Sequence, residues 1–159
     1  MLLELTSDVG LPVVGAVSAD ADGRMIATGT VARPRIADAA LAAVTEMVQT
    51  EVSLDMAREA GEAEALGWIG HGSTRTQPQF RADATMRDHG GPMAAEAILA
   101  RLDALGHRAL AVDLTLPEDP LPSVRVLVPG LCAMRGWIAT PRFARLCPDA
   151  PGPALPEPY

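Results

Sequence analysis

One stretch, Ile36 to Ala60, constrains the fold of this chain more than any other. Its apolar residues recur at helical spacing, and two short β-like runs precede it. On a helical wheel, Ile36, Ala40, Ala43, Val44, Met47, Val48 and Leu54 form one apolar arc. Ala39, Ala42, Glu46, Gln49, Thr50 and Ser53 cluster on an adjoining side. There Glu46 and Gln49, at i and i+3, project together among small neighbours that leave room for something to approach. Glu51 falls inside the apolar arc, where an ionised carboxylate is costly unless it is paired or metal-bound. A plain structural account is also open. In it Glu46 and Gln49 cap a neighbouring loop, and Glu51 meets an arginine.

The flanking sequence reads as a mixed α/β (α+β) domain of four or five strands and three helices. Leu2 to Leu5 suits a strand end, and Val13 to Ser18 is apolar and β-branched, as in a buried strand. Asp20-Ala-Asp-Gly23 is a turn from which Met25 to Val31 returns, so the two runs predict a β-hairpin. Gly61 to Gly72 predicts a short helix holding Leu66, Trp68 and Ile69, and Ser73 to Gly91 a loop. Pro92 to Leu105 predicts an amphipathic helix with Gly106 as its C-terminal cap. Ala109 to Leu114 and Val124 to Val128 predict two more strands, and the chain ends in a proline-rich tail.

Composition excludes several functions. The chain has 159 residues, enough for one domain or part of a larger one, and at 48% apolar it is not a disordered segment. A net charge of −7 argues against a large nucleic-acid surface, and 3% aromatics are too few for a base-stacking platform. All 13 basic residues are arginine, which removes a P-loop lysine, a Schiff-base lysine and a lysine general base. Arginine remains available for phosphates. Neither a membrane span nor a basic signal-peptide start is present, so the expected location is the cytoplasm. Cys132 and Cys147 are not a CxxC pair and read as free thiols.

Other motifs carry less. His71, His89 and His107 share no ligand spacing, which argues against zinc. Gly15, Gly23 and Gly29 do not form GxGxxG. Asp113, ending a strand before Thr115, either faces a ligand or caps a loop. Arg33 and Arg35 either hold a phosphate or are plain surface arginines.

Two cassettes together carry a family resemblance. The first runs Leu5-Thr-Ser-Asp-Val-Gly-Leu-Pro-Val-Val14, then Thr28-Gly-Thr-Val, then Ala39-Ala-Leu-Ala-Ala-Val-Thr-Glu-Met-Val-Gln49. The second is Gly106-His-Arg-Ala-Leu-Ala-Val-Asp-Leu-Thr115 followed by Pro122-Ser-Val-Arg-Val-Leu-Val-Pro-Gly-Leu131. In order and spacing they resemble the C-terminal portion of YcaO-domain proteins. The wording Glu46-Met-Val-Gln49-Thr-Glu51 is most similar to members associated with TfuA partners. On this resemblance, residues 1–147 are the C-terminal half of a YcaO-like domain and 148–159 its proline-rich tail.

The resemblance implies ATP-dependent modification of a peptide backbone. An amide oxygen is phosphorylated, a nucleophile adds to the amide carbon, and phosphate leaves. The product is an azoline when a Cys, Ser or Thr side chain adds, and a thioamide when sulfide does. The family's Glu-x-x-Gln element serves nucleotide and Mg²⁺ and maps onto Glu46 and Gln49. Glu51 is a further metal candidate with Glu46, chosen from its place in the apolar arc and not from the family motif. The family's Ser-x-x-x-Glu and Asn-x-x-x-Asp/Glu motifs have no counterpart in matching context. Pro151-Gly-Pro153 and Pro156-Glu-Pro158 approximate a family Pro-x-Pro-x-Pro ending with altered spacing, making the Tyr159 carboxylate a weak catalytic candidate.

The expected partners are an N-terminal YcaO half or a second copy, a TfuA-like protein, and a peptide or protein substrate. Nucleic acid and membrane are not expected. The rival expectation is a scaffold that has lost ATP chemistry.

Overall fold

The computed structural model describes residues 1–77, 80, 86–87 and 89–131. Their elements are β1 (Leu2–Glu4), β2 (Val13–Ser18), β3 (Ala27–Ala32), α1 (Ile36–Ala60), α2 (Ala63–His71), α3 (Ala95–Ala104), β4 (Leu110–Asp113) and β5 (Val124–Leu127). The expected mixed α/β class is what is observed. The described residues divide into two compact units, 1–94 and 95–131. Among the described residues no helix is long and apolar enough to cross a membrane.

The first unit is an antiparallel sheet in the order β1-β2-β3 with α1 against one face. Pairings Val14↔Val31 and Ala16↔Gly29 place these four residues on the same face. Val14 and Ala16 are buried there with Ala39 and Ala43 of α1, and Val31, Ile36, Ala40 and Met47 pack around them. Gly29 sets the helix-to-sheet distance. A methyl group there would run into the Ala43 carbonyl oxygen and lie 2.5 Å from the Met47 nitrogen. Such an approach of helix backbone to strand backbone requires a residue without a side chain.

Helix α1 starts after Pro34-Arg35, with no side-chain cap at Arg35. It ends at Gly61, whose φ of 73° is left-handed. The Gly61 N–H donates to Arg58 O (3.1 Å) and the Glu62 N–H to Ala57 O (3.0 Å), the Schellman arrangement.

The apolar arc read from the wheel is displaced in the fold. Ala39, expected on the open side, is fully buried, whereas Val44 and Val48 are exposed. The buried stripe runs Ala39, Ala43, Leu54 and Ala57. Leu41 (70% exposed), Val44, Val48, Val52 and Met56 (66%) form a second apolar stripe away from the sheet. With apolar residues on two sides, periodicity cannot choose which one packs; the clearance above Gly29 selects the alanines.

Helix α2 closes one end of this layer. The Trp68 indole N–H donates to Ile26 O at 2.9 Å, and both residues are buried. Arg24 reaches Gly70 O at 2.7 Å, tying the β2–β3 turn to the end of α2.

In the second unit α3 buries Leu102 and ends at Gly106, with φ of 78°. Strands β4 and β5 pair antiparallel, Leu110 opposite Leu127 and Asp113 opposite Val124. Every residue of both strands is exposed. Asp113 caps the connection: its Oδ1 accepts from the Thr115 hydroxyl (2.6 Å) and the Thr115 N–H (3.0 Å). These bonds hold its carboxyl below its ordinary pKa, the hydroxyl bond contributing most.

Candidate functional site

Among the described residues strand β3 is an edge of its sheet, and edge strands carry unpaired backbone groups. Helix α1 satisfies two of them with side chains. The Thr30 N–H donates to Glu46 Oε2 at 2.8 Å. The Thr50 hydroxyl lies 2.9 Å from Thr28 O and 3.1 Å from Glu46 O, either of which can accept its proton. Glu46 and Thr50, four residues apart, therefore lie along the same side of the helix over the strand edge.

Beside this seam lies an open groove of about 790 Å³. Thr30, Ala32 and Arg33 form one wall, and Asp38, Thr45, Glu46 and Gln49 contribute to the other. The sequence pairing of Glu46 with Gln49 is thus realised on one surface. Glu46 commits Oε2 to the backbone; among the described residues its Oε1 and the Gln49 side-chain amide have no hydrogen-bond partner. Glu51 does not line this groove. Five residues beyond Glu46, it is rotated about 140° around the axis. The two carboxylates expected as metal ligands therefore stand on different sides of α1, as their separate places on the wheel imply. Nor does Glu51 meet an arginine: among the described residues it forms no ion pair, whereas Arg58 pairs with Asp55 at 2.8 Å.

The sequence model of a family described as YcaO cyclodehydratase, ATP- and Mg²⁺-binding, matches residues 1–132. The chain belongs to the YcaO family. Two solved structures share its fold. One, titled as the structure of the heterocyclase TruD, superposes with a TM-score of 0.72 at 23% identity, covering 92% of this chain and 22% of that one. The other, a heterocyclase in complex with substrate and cofactor, gives 0.69 at 25% identity, covering 81% of this chain and 19% of that one. The chain thus spans about a fifth of the length of either heterocyclase. A search of curated proteins found no match.

The residues present fit the family's ligands. Mg²⁺ takes oxygen donors and commonly uses one or two carboxylates beside phosphates and water. Glu46 supplies one carboxylate oxygen, and Gln49 an amide beside it. Among the described residues no group of three or more His, Cys, Asp or Glu side chains is placed to hold a metal alone. The groove volume lies within the ~300–1,000 Å³ usual for small-molecule sites.

Thr30, which holds Glu46, and Gly29, which lets α1 approach, are the residues that sequence reasoning passed over. Their signal was present in Thr28-Gly-Thr-Val, an unexplained glycine within a β run.

A second polar cluster lies elsewhere in the first unit. Glu4 of β1, its side chain 9% exposed, accepts from the Arg87 backbone N–H at 2.8 Å and the Arg87 Nε at 3.1 Å. The His89 Nε2 is 2.8 Å from the same carboxylate. The carboxyl is held below its ordinary pKa, chiefly by the Arg87 backbone bond, against an opposing effect of burial. This cluster fastens Arg87 and His89 to the sheet. His71 caps its own helix through Gly67 O at 2.8 Å. Tyr159, the proline tail, Cys132 and Cys147 lie outside the described residues.

Proposed function

We propose that this YcaO chain is part of an ATP-dependent enzyme that modifies the backbone of a ribosomally made peptide or protein. In this reading Glu46 and Gln49 hold Mg²⁺ and nucleotide. The observation that carries it is their convergence on one groove, with Glu46 fixed by the Thr30 amide and, among the described residues, its other oxygen left over. A preorganised carboxylate binds a cation without first losing rotamer freedom. ATP would supply the phosphoryl group that activates a substrate amide oxygen, with Mg²⁺ spreading its charge. This chain's own contribution is to orient: Thr30 sets the Glu46 rotamer, and Gln49 offers a donor and an acceptor for phosphate or metal-bound water. The heterocyclase neighbours favour azoline over thioamide as the product.

The reading includes a companion polypeptide, an N-terminal YcaO half, that completes the nucleotide site. The outward stripe Leu41, Val44, Val48, Val52 and Met56 supports this, because contiguous exposed apolar surface marks interaction sites. A TfuA-like partner and cytoplasmic location belong to the same proposal.

Calorimetric titration with Mg·ATP tests it, on the chain alone and mixed with an N-terminal YcaO half. Binding in the mixture that Glu46→Ala abolishes supports the reading; an equal affinity of the variant defeats it.

One observation favours a second reading, a YcaO-derived scaffold without nucleotide chemistry. Glu46 already serves as a cap on the β3 edge, a sufficient structural role. Under it, Glu46→Ala and Gln49→Ala leave partner binding and peptide modification intact. Lost modification in a folded variant excludes it.

A further inference from the structure

A nucleotide triphosphate brought to this groove meets two carboxylates, Glu46 and Asp38, on a chain of net charge −7. Mg²⁺ offsets only part of the phosphate charge, so the site needs a protein cation. Lysine is absent from the sequence, leaving arginine for that task.

Among the residues lining the groove, Arg33 is the sole cation. Its backbone is fixed at the end of β3 by its N–H donating to Pro12 O at 3.1 Å. Its side chain is pinned at one point, Nη1 donating to Ala32 O at 2.9 Å. Among the described residues its other guanidinium donors have no partner. Nearby Arg35 differs on both counts. It faces Asp38 at 4.0 Å and does not line the groove.

From this geometry we infer that Arg33 is the phosphate anchor of the groove, binding the phosphate chain of a nucleoside triphosphate on the wall that faces Glu46 and Gln49. The inference rests on the nucleotide reading above and adds the residue that makes it electrostatically feasible. A planar guanidinium offers paired donors that match two phosphate oxygens, and one already-bonded nitrogen reduces the freedom lost on binding. The site then has two poles. Glu46 and Gln49 take the metal, and Arg33 takes phosphate charge that the metal leaves uncompensated. The same division explains why two arginines so close in sequence should differ in effect: Arg33 is held with open donors, whereas Arg35 is turned to its own helix.

The test is calorimetric titration of Mg·ATP against the full chain, with the N-terminal YcaO half added, for wild type and the variants Arg33→Ala, Arg33→Lys, Arg35→Ala and Glu46→Ala. Arg33→Ala should weaken binding tenfold or more, and Arg33→Lys should recover part of the loss. Arg35→Ala should remain within twofold of wild type. Both arginines are exposed, and the main-chain bond to Pro12 survives replacement, so the variants should melt with wild type. Wild-type affinity in Arg33→Ala together with loss in Glu46→Ala overturns the anchor and leaves the nucleotide reading standing. Equal losses in Arg33→Ala and Arg35→Ala overturn it too, because the effect is then only net charge. An absence of Mg·ATP binding by wild type overturns both.

Discussion

The two sheets of this chain are built from similar residues and meet different fates. Val13-Val-Gly-Ala-Val-Ser18 and Val124-Arg-Val-Leu127 are both rich in β-branched residues. In β2 the four central residues are buried, whereas in β4 and β5 every residue is exposed. What separates them is the partner layer. Strand β2 lies between two other strands and beneath a 25-residue helix that brings alanines down onto it. Among the described residues the β4–β5 pair is two strands alone, an arrangement marginally stable in water without a covering layer. Strand propensity selects the local conformation; burial against a second layer supplies most of the stabilisation.

The largest effect that would sharpen this contrast is expected at Gly29. A methyl group there meets helix backbone, which has no rotamer with which to yield. Gly29→Ala should cost about 3 kcal/mol in urea unfolding, near the upper end for overpacking. It should also release Glu46 from Thr30. An unchanged midpoint would mean that α1 shifts freely over the sheet, and the distinction between the two regions would weaken.

A smaller effect is expected at Glu4, with a definite pH dependence. Its carboxyl pKa is lowered in the folded chain, so the folded state favours the ionised form. The stabilisation is complete above the ordinary carboxylate range and is lost as pH falls through the lowered folded value. Glu4→Gln should therefore cost about 1 kcal/mol at neutral pH, the usual worth of such a hydrogen-bonded group. The gap from wild type should close on acidification through the low carboxylate range. A gap that widens in acid would contradict the assigned direction.

The smallest effect is expected in the exposed pair. Val126→Thr exchanges one exposed β-former for another and should shift thermal stability by less than about 0.5 kcal/mol. A large loss would show that this strand has a buried partner in solution, and the contrast with β2 would disappear.

Much of the fold is legible in the sequence. The reading Ile36 to Ala60 for the long helix coincides with α1, because apolar residues recur at helical spacing, a proline stands near the start, and no glycine or proline interrupts the run. The hairpin of β2 and β3 follows from a local turn, Asp20 to Gly23, whose Asp20 Oδ1 accepts the Asp22 and Arg24 amides at 3.0 and 2.8 Å. The Glu46–Gln49 pair was legible as well, since i,i+3 spacing alone sets two side chains on one helix side.

What the sequence determined by itself is therefore local: element identity, the ends of α1, the turn, the family cassettes and one pair of polar side chains. Tertiary structure decided which side of α1 packs, where Glu51 goes, and that Thr30 and Arg33 share a groove with Glu46. The physical reason is that these depend on contacts between segments. Clearance over Gly29 buries Ala39 and Ala43 in place of the bulkier Val44 and Val48, and that choice rotates every other side chain of α1 to its final direction. A wheel records angles between residues of one helix; only the strand beneath it sets the zero of that angle.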